Sequence, residues 1–111
     1  MTTYQVNNQD QFREAIDSLD TGDQIILGKG TYLMEKIVTL DENLLRSRDP
    51  ADAWETKISL INRGIAFRCH KSRVESVTFT GPGGRFLSLD GNNNVIIDVN
   101  SIGGDRAITS S

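Results

Sequence analysis

Few side chains in this 111-residue chain have the type and spacing to do chemistry, and the best placed lie on one segment, Gly64-Ile65-Ala66-Phe67-Arg68-Cys69-His70. Alternation along a strand sends Ile65, Phe67 and Cys69 inward and Ala66, Arg68 and His70 outward. A weak echo 22 positions later, in which Leu87, Leu89 and Val99 answer Ile65, Phe67 and Val77, sets Ser88 beside Ala66 and Asp90 beside Arg68. Arg68, His70 and Asp90 are thus the candidate carbohydrate-binding residues. A guanidinium, an imidazole and a carboxylate on one outer surface offer donors and an acceptor to sugar hydroxyls. The plainer reading of the same residues is a solvated face. Arg68–Asp90 is then a cross-strand ion pair worth at most about 1 kcal/mol, and His70, Lys71 and Arg73 form a basic turn.

Other chemistries find less support. The single histidine has no His, Cys or paired carboxylate at ligand spacing, so no metal is expected. Asp41-Glu42 and Asp49…Asp52 lack the spacing of an EF-hand loop. Gly81-Pro82-Gly83-Gly84 is followed by neither Lys-Ser/Thr nor a helix start, and reads as a turn. Cys69, the one cysteine, excludes an internal disulfide and reads as a core thiol. No catalytic residue is assignable.

These residues need elements to hold them. One helix is expected from about Gln9 to Leu19, where Phe12, Ala15, Ile16 and Leu19 form a single apolar stripe. Asn8 with Gln11 fits a capping box at its start, and Gly22 suits a left-handed residue after its end. Beyond it the period changes to that of short strands. These are Gln24–Leu27, Thr31–Leu33, Lys36–Leu40, Lys57–Ile61, Gly64–Cys69, Val74–Thr80, Phe86–Leu89, Val95–Val99 and Ala107–Thr109. Asp41 to Glu55 reads as irregular, with a helical turn near Pro50–Trp54, and Trp54 is expected to cover core rather than to stack on a sugar.

Hairpin turns are scarce, and a repeat of about 20–22 residues points instead to stacked coils that bury each other's apolar faces. Asn92-Asn93-Asn94 then serves tight bends and side-chain ladders along the stack. The expected fold is all-β: a right-handed parallel β-helix of about three to four coils, one domain over residues 1–111, with a capping helix over about 8–20. Twelve basic against fifteen acidic residues, net −3, give no electrostatic footprint for nucleic acid. No apolar run reaches membrane-spanning length, and the opening Met1–Phe12 has no signal-peptide pattern.

Tyr4-Gln5-Val6, then Phe12–Leu19, then Gly22-Asp23-Gln24-Ile25-Ile26-Leu27-Gly28-Lys29-Gly30-Thr31-Tyr32 resembles the opening of the pectate-lyase-like parallel β-helix superfamily. It is similar in particular to the group of chondroitinase B and alginate lyases. Thr21 stands where that pattern usually has proline, while Gly22, Asp23, Ile25, Leu27, Gly30 and Tyr32 match. Val74–Gly81 and Asn94–Asp98 resemble ordinary coils of the superfamily.

The resemblance implies a polysaccharide partner, a secreted or surface location, and calcium as the one cofactor to consider. It also implies lyase or epimerase chemistry on an acidic polysaccharide, in which a Lys or Arg base removes the proton beside a uronate carboxylate. No residue here maps onto that machinery, so the segment is expected to be inactive alone. Its last strand, Ala107–Thr109, has no cap after it. That implies either a fragment of a longer solenoid or a homo-oligomer joined through the uncapped C-terminal coil. A non-catalytic carbohydrate-binding, adhesin or structural module is the alternative.

Overall fold

The structure, a computed structural model, describes residues 1–82, 84–91, 93–103 and 106–110. Gly83 of the glycine-rich turn, Asn92 of the asparagine run and Ser111 lie outside the described residues. The elements in order are β1 (Thr3–Val6), α1 (Gln9–Ser18), β2 (Gln24–Leu27), β3 (Gly30–Met34), β4 (Val38–Asp41), β5 (Leu44–Ser47), a 3-10 turn (Pro50–Asp52), β6 (Thr56–Leu60), β7 (Gly64–His70), β8 (Arg73–Thr80), β9 (Gly84–Asp90), β10 (Val95–Ile102) and β11 (Arg106–Ser110). Every pairing among them is parallel. The chain is mostly β, curled around one core and closed at one end by α1: a parallel β-helix-like fold. No helix among the described residues is long and apolar enough to cross a membrane.

Three stacks enclose the core. The first runs β1-β2-β5 and continues onto the start of β8 and of β10; the second runs β3-β6 onto the ends of β8 and β10. The third is β4-β7-β9-β11. β8 serves two stacks because it bends at Ser76, whose φ of 54° is left-handed, and β10 bends at the stacked Asp98, φ 52°. The inward set includes Ile25, Leu27, Tyr32, Leu40, Leu45, Ile58, Phe67, Phe79 and Leu87, all essentially enclosed.

The cap forms as its sequence dictates. The Asn8 side chain accepts from the Gln11 amide at 2.9 Å, and Gln11 Oε1 accepts from the Asn7 amide at 2.7 Å. Phe12 and Ala15 are fully buried, with the Phe12 and Tyr32 rings 5.2 Å apart. Gln9 protects the exposed edge of β3. Its side-chain amide accepts from Leu33 N–H at 2.7 Å and donates to Leu33 C=O at 3.0 Å, in place of a neighbouring strand. The Tyr32 hydroxyl donates to the Gly28 carbonyl at 2.8 Å, and burial raises its pKa above the ordinary phenol value.

One corner is built by left-handed residues. Asp41, His70 and Asp90 are register partners, so the residues directly after them, Glu42 (φ 55°), Lys71 (φ 51°) and Gly91 (φ 79°), stack on one another. Inside that corner runs a polar ladder, Asp23, Asn43, Ser72 and Asn94, each placed just before a member of the first stack. Asp23 accepts from the Asp20 and Thr2 amides, and those two bonds hold its carboxyl below the usual range. Only Glu42 and Lys71 carry a Cβ in this left-handed row. Lys71→Gly is therefore expected to stabilise the fold by about 0.5–1 kcal/mol, the relief of αL strain less the entropy of glycine. A urea midpoint at or below that of the parent chain would show the corner unstrained.

Several expectations change. β5, which pairs with β2 and β8, lies within the stretch read as irregular, and the helical turn comes after it. The pattern Leu44-Leu45-Arg46-Ser47 is too short and too polar to announce a strand, yet its neighbours on both sides satisfy its backbone. Trp54 does not cover core. It is 57% exposed, while Ala53 packs inward and its carbonyl accepts from the buried Thr78 hydroxyl at 2.7 Å.

Ala66 is fully buried, not outward, and Ile65 is half-buried on the outer side. The strand bends there, so Ala66 and Phe67 both face the core, as do Phe86 and Leu87 on β9. The spacing of 22 holds for Val77 and Val99 on β8 and β10, but not on the third stack, where Phe67 pairs with Leu87 and Cys69 with Leu89. The reason is local. Two residues join His70 to Arg73, whereas four join Asp90 to Val95, and the extra asparagines shift the register of β10 while leaving β9 in place.

Candidate functional site

The outer surface of the third stack carries two adjacent rungs of polar side chains. Thr39, Arg68 and Ser88 are partners on β4, β7 and β9 and make the first; Asp41, His70 and Asp90 make the second. Sequence reasoning paired Asp90 with Arg68, and the structure pairs it with His70; Arg68 pairs with Ser88. All three candidates nevertheless line one open cleft of about 430 Å³, together with Thr39, Ile65, Cys69 and Ser88. Ile65 supplies its apolar wall because the bend at Ala66 turns it outward.

The cleft residues are held from behind. Ser72 Oγ donates to the His70 carbonyl at 2.9 Å, and the Glu42 amide donates to the same oxygen at 3.0 Å. Asn94 Nδ2 donates to the carbonyls of Cys69 at 3.1 Å and Asp90 at 3.0 Å. The Asp41 amide donates to Asn43 Oδ1 at 2.7 Å. The interior ladder thus fixes the strand ends on which the acidic rung is mounted.

Chemically the cleft offers a fixed cation, hydroxyls, a carboxylate and an imidazole, which suits hydrogen bonding to a polar, hydroxyl-rich or anionic ligand. It offers no activated nucleophile. Cys69 is enclosed, and burial pushes its thiol up to about 12, far from the thiolate a reaction would need. Among the described residues no three His, Cys, Asp or Glu side chains converge as metal ligands.

Thr39 and Ser88 were not singled out as ligand-contacting residues by sequence reasoning. Thr39 lies 29 positions before Arg68, because the excursion around Pro50 lengthens that winding, and no fixed repeat reaches it. A second cleft, of about 330 Å³, lies between α1 and β3. Gln9, Arg13, Ile16 and Leu33 line it, along with Glu35 and the Lys36–Asp17 ion pair.

No family model matches the chain, and no curated protein matches it. Among solved structures it is similar to the PL6 family alginate lyase AlyGC, with a TM-score of 0.56 and 15% sequence identity, over 98% of this chain and 20% of that one. The likeness is one of fold. The chain spans about a fifth of that lyase's length.

Proposed function

We propose that the chain is the N-terminal segment of a right-handed parallel β-helix, three to four coils long, from a lyase- or epimerase-type protein acting on an acidic polysaccharide. Its cleft contacts the saccharide, and the bond-breaking groups belong to other coils. The observation that carries this reading is the pair of rungs in one cleft, Thr39–Arg68–Ser88 beside His70–Asp90, on a fold similar to that of an alginate lyase. Two strand residues span about 6.6 Å, the scale of one sugar ring. A uronate carboxylate on Arg68 therefore leaves ring hydroxyls facing Asp90 and Ser88.

Calorimetric titration with an alginate tetrasaccharide tests this. A charge-assisted hydrogen bond is worth about 1.5–3 kcal/mol, so Arg68→Ala is expected to weaken binding by roughly tenfold or more. The chain alone is expected to release no unsaturated uronate, read as product absorbance in the ultraviolet. Equal affinity in the Arg68→Ala variant removes the cleft from the reading, and lyase turnover by these residues removes the division of labour.

A further inference from the structure

Trp54 is the only tryptophan of the chain, and its ring stands in solvent although the turn that carries it is firmly bonded. Asp49 caps that turn by accepting from the Ala51 amide at 3.0 Å. The Asp52 carbonyl accepts from the Glu55 amide at 3.1 Å and from the Thr56 hydroxyl at 2.9 Å. On one side of Trp54 the Ala53 carbonyl accepts from the buried Thr78 hydroxyl at 2.7 Å; on the other the Glu55 carbonyl accepts from the Gly30 amide at 3.0 Å. Both chain neighbours are thus tied to the body of the fold, Ala53 to β8 and Glu55 to the start of β3, while the ring between them faces out.

An exposed indole on a fixed backbone is a prepared contact surface, because a tryptophan has few torsions left to order when something lies on it. The surroundings define what that is. Among the described residues, Trp54 is the only large exposed apolar side chain between Arg48 and Leu60. Its companions on the turn are charged: Asp52, paired with Lys29 at 3.8 Å, and the exposed Glu55. A protein-binding patch needs contiguous apolar surface of roughly a few hundred Å² or more, which one ring amid charges does not supply. Acidic neighbours and a net charge of −3 oppose a base carried on a phosphate backbone. A pyranose fits. One of its faces presents C–H bonds, slightly positive, to the electron-rich face of the indole. Its hydroxyls then lie at the rim, within the reach of carboxylates that accept and an ammonium that donates.

We propose that Trp54 is a stacking platform for a pyranose ring of a polysaccharide, a second saccharide contact separate from the Arg68 cleft. The turn packs on β8 at Thr78, in the stack that holds β3 and β6, whereas the cleft lies on β4, β7 and β9. The platform recognises a bare ring face and not a charge, so it holds the polymer without selecting an acidic sugar. It stands whether or not the cleft binds saccharide. The long winding from Thr39 to Arg68 acquires a role as well: its excursion around Pro50 places an aromatic ring outside the strands on a backbone they fix.

The fluorescence of the chain reads this site directly, since no other tryptophan contributes. Titration with alginate tetrasaccharide and, separately, with cellotetraose is expected to move the emission to shorter wavelength and to reduce its quenching by acrylamide. The dissociation constant expected for one stacked ring is on the order of 1 mM. The response is expected to persist in Arg68→Ala. On that background, saturation-transfer NMR should mark the C–H protons of the sugar; the transfer should vanish with Trp54→Ala and return in part with Trp54→Phe, both with the urea midpoint of the parent. A response to cellotetraose identifies the bare ring face as the ligand, and a response to alginate alone adds a carboxylate on Lys29; either result supports the platform. No response to either sugar overturns it. So does a response lost in Arg68→Ala, which assigns the signal to the cleft. An emission shift on raising protein concentration alone, with a doubled solution mass, puts a second copy of the chain on the ring and overturns the proposal too. None of these failures touches the cleft, whose own test is the affinity lost in Arg68→Ala.

Discussion

Phe79→Ala is expected to cost about 3–5 kcal/mol of stability, the usual range for emptying a buried phenylalanine site. The Phe79 ring is 1% exposed, lies 5.7 Å from the stacked Phe86 ring, and meets Phe67 edge-on at 6.1 Å. It thereby joins the second stack to the third, since Phe79 sits on the far end of β8 while Phe67 and Phe86 belong to β7 and β9. β8 also pairs with β5, β6 and β10, so its neighbours cannot slide in to fill the gap without breaking ladders. A single domain has about 5–15 kcal/mol in all, and a loss on this scale brings the fold close to its limit. Urea unfolding should show the midpoint fall sharply, with Ile102→Ala, at a site 47% exposed, as the mild comparison. A loss below about 1 kcal/mol would mean that the three rings do not form a joint core.

How much of this was legible in the sequence divides along physical lines. The cap was, because an amphipathic stripe and a capping box are local signals that need no partner, and Phe12, Ala15 and the Asn8–Gln11 pair behave as their spacing demands. The inward set Ile25, Leu27 and Tyr32 was legible for the same reason. Register was not. It depends on how many residues each corner spends, and corners here spend two, four or a whole 3-10 excursion without changing the strands they join. Hence Arg68, His70 and Asp90 were found as a group, while their pairing was assigned to the wrong rung and Thr39 was missed. β5 was hidden for a related reason: its stability comes from two neighbouring strands, and nothing within Leu44–Ser47 itself reports them. Trp54 marks the opposite failure, since a large apolar residue was expected to be buried and the turn before it spends Ala53 on the core instead.

Asn43→Ala should be nearly as damaging as loss of a core ring, at about 2–4 kcal/mol, because it removes three hydrogen bonds from a buried corner at once. Asn43 is 4% exposed, and its amide donates to the carbonyls of Asp20 and Asp23, both at 2.9 Å, while its oxygen accepts from the Asp41 amide at 2.7 Å. Alanine leaves the Asp41 N–H without its acceptor, and leaves the Asp20 and Asp23 carbonyls with one backbone donor each, from Asp23 at 3.1 Å and Leu44 at 3.3 Å. Asn43→Asp separates the role of the amide from that of the shape. It keeps the acceptor for Asp41 N–H but turns an oxygen on two carbonyls, next to the buried Asp23 carboxylate, so at neutral pH it is expected to be no more stable than the alanine variant. An aspartate variant as stable as the parent would show that the ladder's donors contribute nothing. The consequence reaches the cleft. Asn43 fixes the end of β4 through Asp41, and its own backbone amide donates to Ser72 Oγ at 3.1 Å, which in turn donates to the His70 carbonyl. Loosening this rung should therefore broaden the His70 imidazole resonances before the chain unfolds, whereas Phe79→Ala acts on the core and should lower stability without that selective effect. The interior ladder and the outer rung are the two sides of one corner, and a variant in the first is read out in the second.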